Sequence, residues 1–172
     1  MATNRIEGDL YVSGTVTPKL FTPPDGSIDN DAIASGDPID ADKLSNRHAQ
    51  SYFQADGSDV AAAIVPIAVI RGTTGTLKSI EVSCVDAPSG GDKAFTVDLL
   101  VADETTPTPA SVLSAPVSYS STQSDCEVEA GTITSADLEV GDTLLVQVAV
   151  SGSTGTQGQG LVVTVTWDET PT

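Results

Sequence analysis

From residue 61 onward, apolar and polar residues alternate with a period of two in block after block, whereas residues 1–59 scatter their apolar positions among Asp, Ser, Pro and Gly with no sustained period. A period of two places alternate side chains on opposite faces of a strand. Ala61–Arg71 (AAAIVPIAVIR) is apolar almost throughout and predicts a strand covered on both faces, with Pro66 marking an edge or a bulge. Leu77–Val85 sets Ile80, Val82 and Cys84 against Glu81 and Ser83, and Ala94–Ala102 sets Phe95, Val97, Leu99 and Val101 against Thr96 and Asp98. Ser111–Ser120 predicts a strand interrupted by Pro116, and Asp125–Ile133 a half-buried strand with Cys126, Val128 and Ala130 inside. Ser135–Leu138 reads as a short helical turn capped by Ser135. Thr143–Ser151 and Leu161–Trp167 follow as the two strongest strands, and the Gly/Ser/Thr/Gln segment between them has hairpin character.

Seven or eight short strands joined by turn-rich loops, with almost no helix, predict an all-β antiparallel sandwich. Jelly-roll connectivity is the first expectation and an immunoglobulin-like order the second. Trp167 is expected to be a structural anchor, because only 4% of the residues are aromatic and the interior must otherwise be filled by small side chains.

The first 58 residues form a separate region, an extended arm, with the sandwich running from 59 to 172. Gly8–Thr17 holds a brief alternation of Leu10 and Val12 that predicts one extended strand, which needs a sheet edge on a neighbour or on another copy of the chain. Ser27–Ala34 and Asp37–Leu44 can each make a helical turn or two, presenting Ile28, Ile33, Ile39 and Leu44. Such turns are too short to stand alone. Tyr52 and Phe53 then follow as either a lid on the sandwich or an intermolecular anchor. An arm with apolar positions and no core of its own is a docking device.

Charge narrows the partners. Seven Lys and Arg against 24 Asp and Glu give a net charge of −17 over 172 residues, with −6 in the arm to Asp59 and −11 beyond it. That surface repels phosphate backbones and anionic lipid headgroups, so direct nucleic-acid binding and membrane association are not expected. No apolar run reaches the roughly 18 residues that cross a bilayer, and the N-terminal sequence lacks a signal-peptide core, so synthesis in a cytoplasm is expected. Cys84 and Cys126 both fall on apolar faces of expected strands and read as small buried hydrophobes; a disulfide between them requires neighbouring strands.

In the arm, Leu20-Phe21-Thr22-Pro23-Pro24-Asp25-Gly26-Ser27-Ile28, then Asp31-Ala32-Ile33-Ala34-Ser35-Gly36, Ile39-Asp40-Ala41-Asp42-Lys43-Leu44 and His48, resemble a segment that precedes the β-domain in tailed-phage structural proteins. The stretches Thr96–Leu100, Ser111–Val117 and Gly158–Thr166 are also similar to that group. The resemblance is to the tailed-bacteriophage capsid decoration (cement) and head-fibre proteins. It implies a virion component on the capsid surface, made in the host cytoplasm, commonly a homotrimer, that clamps the major capsid protein. The partner-binding anchors expected are Leu10, Val12, Leu20, Phe21, Ile28, Ile33, Ile39, Leu44, Tyr52 and Phe53. A tail-fibre or receptor- or carbohydrate-binding sandwich is the alternative, for which the loops at 73–76, 103–109 and 151–160 offer no aromatic platform.

No enzyme is expected. The single histidine, His48, lies beside Arg47, and there is no Gly-x-Ser-x-Gly, no Cys-x-x-Cys and no glycine loop ending in lysine. The pairs Asp29/Asp31, Asp40/Asp42 and Asp56/Asp59 lack the spaced ligands and terminal Glu of a calcium loop, so neither a metal nor another cofactor is expected.

Overall fold

A computed structural model of the protein describes residues 46–170 apart from 104, 106 and 107. The expected strand over 8–17, both helical turns of the arm, and the anchors Leu10, Val12, Leu20, Phe21, Ile28, Ile33, Ile39 and Leu44 lie outside the described residues. Those described form ten strands: β1 Asn46–Phe53, β2 Ala63–Val69, β3 Thr74–Asp86, β4 Ala94–Ala102, β5 Ala110–Ser111, β6 Val117–Tyr119, β7 Glu129–Ala130, β8 Asp137–Glu139, β9 Thr143–Ser151 and β10 Gln159–Thr170. Every pairing is antiparallel. One sheet has the order β1-β10-β3-β7 with β8 also on β3; the other has β2-β9-β4-β5 with β6 also on β4.

The alternating rows meet between the sheets. Leu77, Ile80, Val82 and Cys84 of β3 and Leu161, Val163, Val165 and Trp167 of β10 join Phe95, Val97 and Leu99 of β4 and Leu144, Val146 and Val148 of β9 in one buried cluster. Leu77 and Ile80 are three residues apart, an odd spacing that would put them on opposite faces of a regular strand. A register shift opposite Thr166/Trp167 leaves Lys78 unpaired, and this bulge returns Leu77 to the core side. Among the long strands the chain changes sheets at every step except β4 to β9: β1, β3 and β10 lie in one, β2, β4 and β9 in the other. This is the jelly-roll arrangement; the immunoglobulin order keeps neighbouring strands of a hairpin in one sheet.

Five local expectations are corrected. The segment between β9 and β10 is not a hairpin, because it crosses from one sheet to the other. β2 is an edge strand rather than a doubly covered one: Ile64 and Val69 are 58% and 49% exposed, and the register shifts at Pro66/Ala68. Pro66 has no N–H for a ladder, which suits an edge. Ser111–Ser120 is interrupted as expected, but over residues 112–116 rather than at Pro116 alone, which leaves the short β5 and β6, both on β4. Ser135–Leu138 contains no helical turn; β8 pairs with β3 and inserts Leu138, 2% exposed, where the missing side chain of Gly75 leaves room for it.

The fifth concerns Asp125–Ile133, where only β7 is a strand, and Cys126, Val128 and Ala130 are exposed. Side chains win over the ladder there. The buried Tyr119 hydroxyl donates to the Ser124 and Glu127 carbonyls, each at 2.9 Å, and the Glu127 carboxylate accepts the Ser124 N–H at 2.6 Å. These local bonds close a turn in which Cys126 takes a φ of 59°, incompatible with a strand. Cys126 still reaches the neighbouring strand, its N–H donating to the Cys84 carbonyl at 2.9 Å, but both thiols are free and only Cys84 is buried.

Candidate docking surface

β1 lies within the last part of the 58-residue region read as an arm, yet it pairs with β10 in unbroken register from Asn46↔Glu169 to Phe53↔Val162. Its sequence, NRHAQSYF, has no alternation of apolar residues; polar contacts to β10 hold it instead. Ser51 and Thr164 share a hydroxyl hydrogen bond at 2.9 Å. Arg47 donates through Nε and Nη2 to the two Asp168 oxygens at 3.0 and 3.4 Å, and the Lys78 ammonium stands 3.4 Å from the same carboxylate. The Arg47 hydrogen bond holds the Asp168 carboxyl below the usual range, and Arg47 itself is pushed up. His48 stacks on Trp167 with centroids 5.3 Å apart and an interplanar angle of 18°. The indole Nε1 donates to Glu169 Oε1 at 2.7 Å. Burial alone would raise Glu169, but that bond and the Gly72 and Arg71 N–H groups on Oε2 outweigh it and leave the carboxyl low.

Tyr52 and Phe53 separate. Tyr52 is half-buried against the core, with Gln54 Nε2 donating to its hydroxyl at 3.0 Å; Phe53 is 71% exposed on the outer face. Across that face Phe53 lies opposite Val162, which lies opposite Ser83. A shallow groove of about 170 Å³ continues the row, lined by Glu81, Val82, Ser83, Val128, Val162 and Thr164. Phe53, Val162, Val128 and Val85 are thus exposed apolar side chains on one sheet surface, with Glu81 beside them. Exposed apolar groups arranged as a patch mark an interaction surface where single ones do not. Of this surface the sequence pointed to Phe53 alone. Val85, Val128 and Val162 each occupy the odd apolar position on a polar face, a signal visible only once the register is known.

A second depression of about 250 Å³ lies at the loop end, lined by Asp59, Val60, Lys93, Val150, Ser151, Gly152 and Gln157. It has no aromatic side chain on which a sugar ring could stack. Its rim is built by Asp92, whose Oδ1 accepts the Ser153 N–H, the Thr154 N–H and the Thr154 hydroxyl at 2.9, 2.6 and 2.7 Å. Gly152 has a φ of +82° there, and a Cβ would stand 2.2 Å from the Asp92 carbonyl oxygen. The Thr154 hydroxyl and the two backbone donors lower the Asp92 carboxyl from 3.8 to about 2. A depressed carboxyl supports the folded loop fully above its unfolded value and loses that support as pH falls through the folded one. The Ser153 and Thr154 amide resonances are therefore expected to move together between about pH 4 and pH 2, and Asp92→Asn is expected to remove that transition.

Among the described residues no three His, Cys, Asp or Glu side chains are grouped to hold a metal ion. Burial raises the Cys84 thiol to about 11, which keeps it protonated and a poor nucleophile at neutral pH. The buried Tyr119 phenol is raised as well, so it remains the donor its two carbonyl partners require.

No protein-family model and no curated protein sequence matches the chain. A solved structure described as "Capsid of Ralstonia phage GP4" is similar to it, at 16% identity and a TM-score of 0.49, over 82% of this chain and 94% of that one. A similarity this loose assigns the chain neither a family nor a role.

Proposed function

We propose that this protein is a non-enzymatic structural component of a tailed-phage virion, a homotrimer that decorates the capsid surface. It docks onto the major capsid protein through the arm and stabilises the shell. The observation that carries this reading is the division of labour along the chain. Residues 46–170 close a core with their own strands, while Leu10, Val12, Leu20, Phe21, Ile28, Ile33, Ile39 and Leu44 precede that core in a segment resembling the decoration proteins. Burying one Leu, Ile or Phe side chain at an interface contributes about 1.5–3 kcal/mol. Part of that is offset by the ordering of a segment with no fold of its own. Phe53, exposed on the outer face of the sheet, offers one further apolar contact.

The full chain carrying Ile33→Asp and Leu44→Asp is expected to keep the melting temperature of the sandwich and to lose binding to phage shells stripped of this protein, by at least about tenfold for each buried anchor lost. Co-sedimentation with the shells measures it. Unchanged binding by the double variant would remove the arm from the docking mechanism.

A further inference from the structure

The edges of the two sheets are not alike. Natural sheets protect their edges with very short strands, prolines, bulges or charges, because an open edge offers unpaired N–H and C=O groups to any other strand. Three of the four edges here follow that rule. β2 carries Pro66 and a register shift. The edge opposite it is made of the two- and three-residue strands β5 and β6. The far edge of the other sheet is made of β7 and β8, again two and three residues long. The fourth edge is β1, eight residues in continuous register with no proline and no bulge, which among the described residues pairs only with β10.

The direction of its backbone groups is fixed. The Gln54 N–H donates to the Leu161 carbonyl at 2.9 Å, one step beyond the pair Phe53↔Val162. Alternation in an antiparallel pair then turns the groups of Tyr52, Gln50 and His48 toward β10, and those of Arg47, Ala49, Ser51 and Phe53 toward the open side. A strand added there would extend the sheet beside Tyr52 and Phe53.

We propose that β1 is an acceptor edge for the segment Gly8–Thr17 of a second copy of this chain, which joins copies by strand exchange. That segment has the alternation of a strand and cannot be stable as a single one. The donor leaves its own sandwich through residues 18–45, a spacer containing Pro18, Pro23, Pro24 and Pro38. Prolines stiffen such a spacer, and its 28 residues are long enough for the segment to reach a neighbour's β1. Passing the segment from each copy to the next is a head-to-tail contact, which makes a ring where the rotation between copies closes and a filament where it does not. This deepens the reading above by supplying the oligomer contact, and its test needs no phage shell, so it can fail while shell docking stands.

The test is the solution mass and amide exchange of the full chain, with Ala49→Pro and Leu10→Asp as variants. Ala49→Pro removes an N–H on the open side and spares the bonds to β10, a position where an edge strand tolerates proline. The wild-type chain is expected to sediment well above its 17.5 kDa monomer and to protect the Ser51 amide. Both variants are expected to sediment as monomers with the sandwich still folded, and Ser51 to exchange at least roughly tenfold faster. A monomeric wild type overturns the proposal, as does assembly that survives both substitutions. A protected Ser51 amide in a monomer would mean that the chain's own segment fills the edge. Dissociation by Ala49→Pro with no effect of Leu10→Asp would mean that two β1 edges pair directly. Either result also overturns it.

Discussion

Replacing Phe95 by alanine is expected to cost the sandwich about 3–5 kcal/mol, the range for removing a fully buried aromatic ring. Phe95 is completely buried and faces Tyr119 across the β4–β6 pair, with ring centroids 5.1 Å apart and an interplanar angle of 5°. The chain has only three Phe, three Tyr and one Trp, and the rest of the core is mainly Val, Leu and Ile. Among the described residues the one ring stacked on it is Tyr119, which its own hydroxyl bonds hold in place. The stacked partner has a second task, since the Tyr119 hydroxyl pins the Ser124–Glu127 turn. Loosening the ring therefore also loosens the segment that closes over Cys84. Native domains are stable by about 5–15 kcal/mol, so this one substitution removes a large share. A fall in the urea midpoint at unchanged slope measures it; a loss below about 1 kcal/mol would mean that the stack does not anchor the core.

The second large effect concerns docking. A chain shortened to begin at Asn46 is expected to melt within a few degrees of the full chain and to lose at least about 100-fold in affinity for phage shells, equivalent to roughly 2.7 kcal/mol and less than two buried anchors would supply. The position of the cut decides whether the result means anything. Ending the arm at residue 58, where composition changes, would remove β1, leave β10 paired on one side only and expose the core beside Tyr52. Such a chain would fail through misfolding and not through loss of docking. Beginning at Asn46 keeps the β1–β10 ladder, including the Ser51–Thr164 bond and the Arg47–Asp168 pair.

The difference between those two cuts shows what the sequence reveals and what it hides. β4 and β9 were legible to the residue, because both are central strands with one face in the core and strict alternation follows. The jelly-roll connectivity was likewise the first expectation. β1 was not legible, because polar side-chain bonds hold it at an edge and NRHAQSYF carries no hydrophobic period. Asp125–Ile133 misled in the opposite direction. Its alternation is real, but the buried Tyr119 hydroxyl and the left-handed Cys126 turn it into a loop, and neither is written in the alternation of apolar and polar residues. The candidate surface divides the same way. Phe53 stood out by composition, whereas Val85, Val128 and Val162 became a patch only when register laid them across one face.

The charge of −17 is consistent with a role read from surfaces. Acids spread over both regions keep copies of the chain apart in solution, so association must be specific and must bury apolar anchors to overcome repulsion. Imaging of phage shells reconstituted with the full chain tests the central claim most directly. The account predicts continuous density for residues 18–45 running from each sandwich against the major capsid protein, with Ile28, Ile33, Ile39 and Leu44 in contact with it. Sandwiches seated on the shell through their own strands, with the arm turned toward solvent, would contradict it.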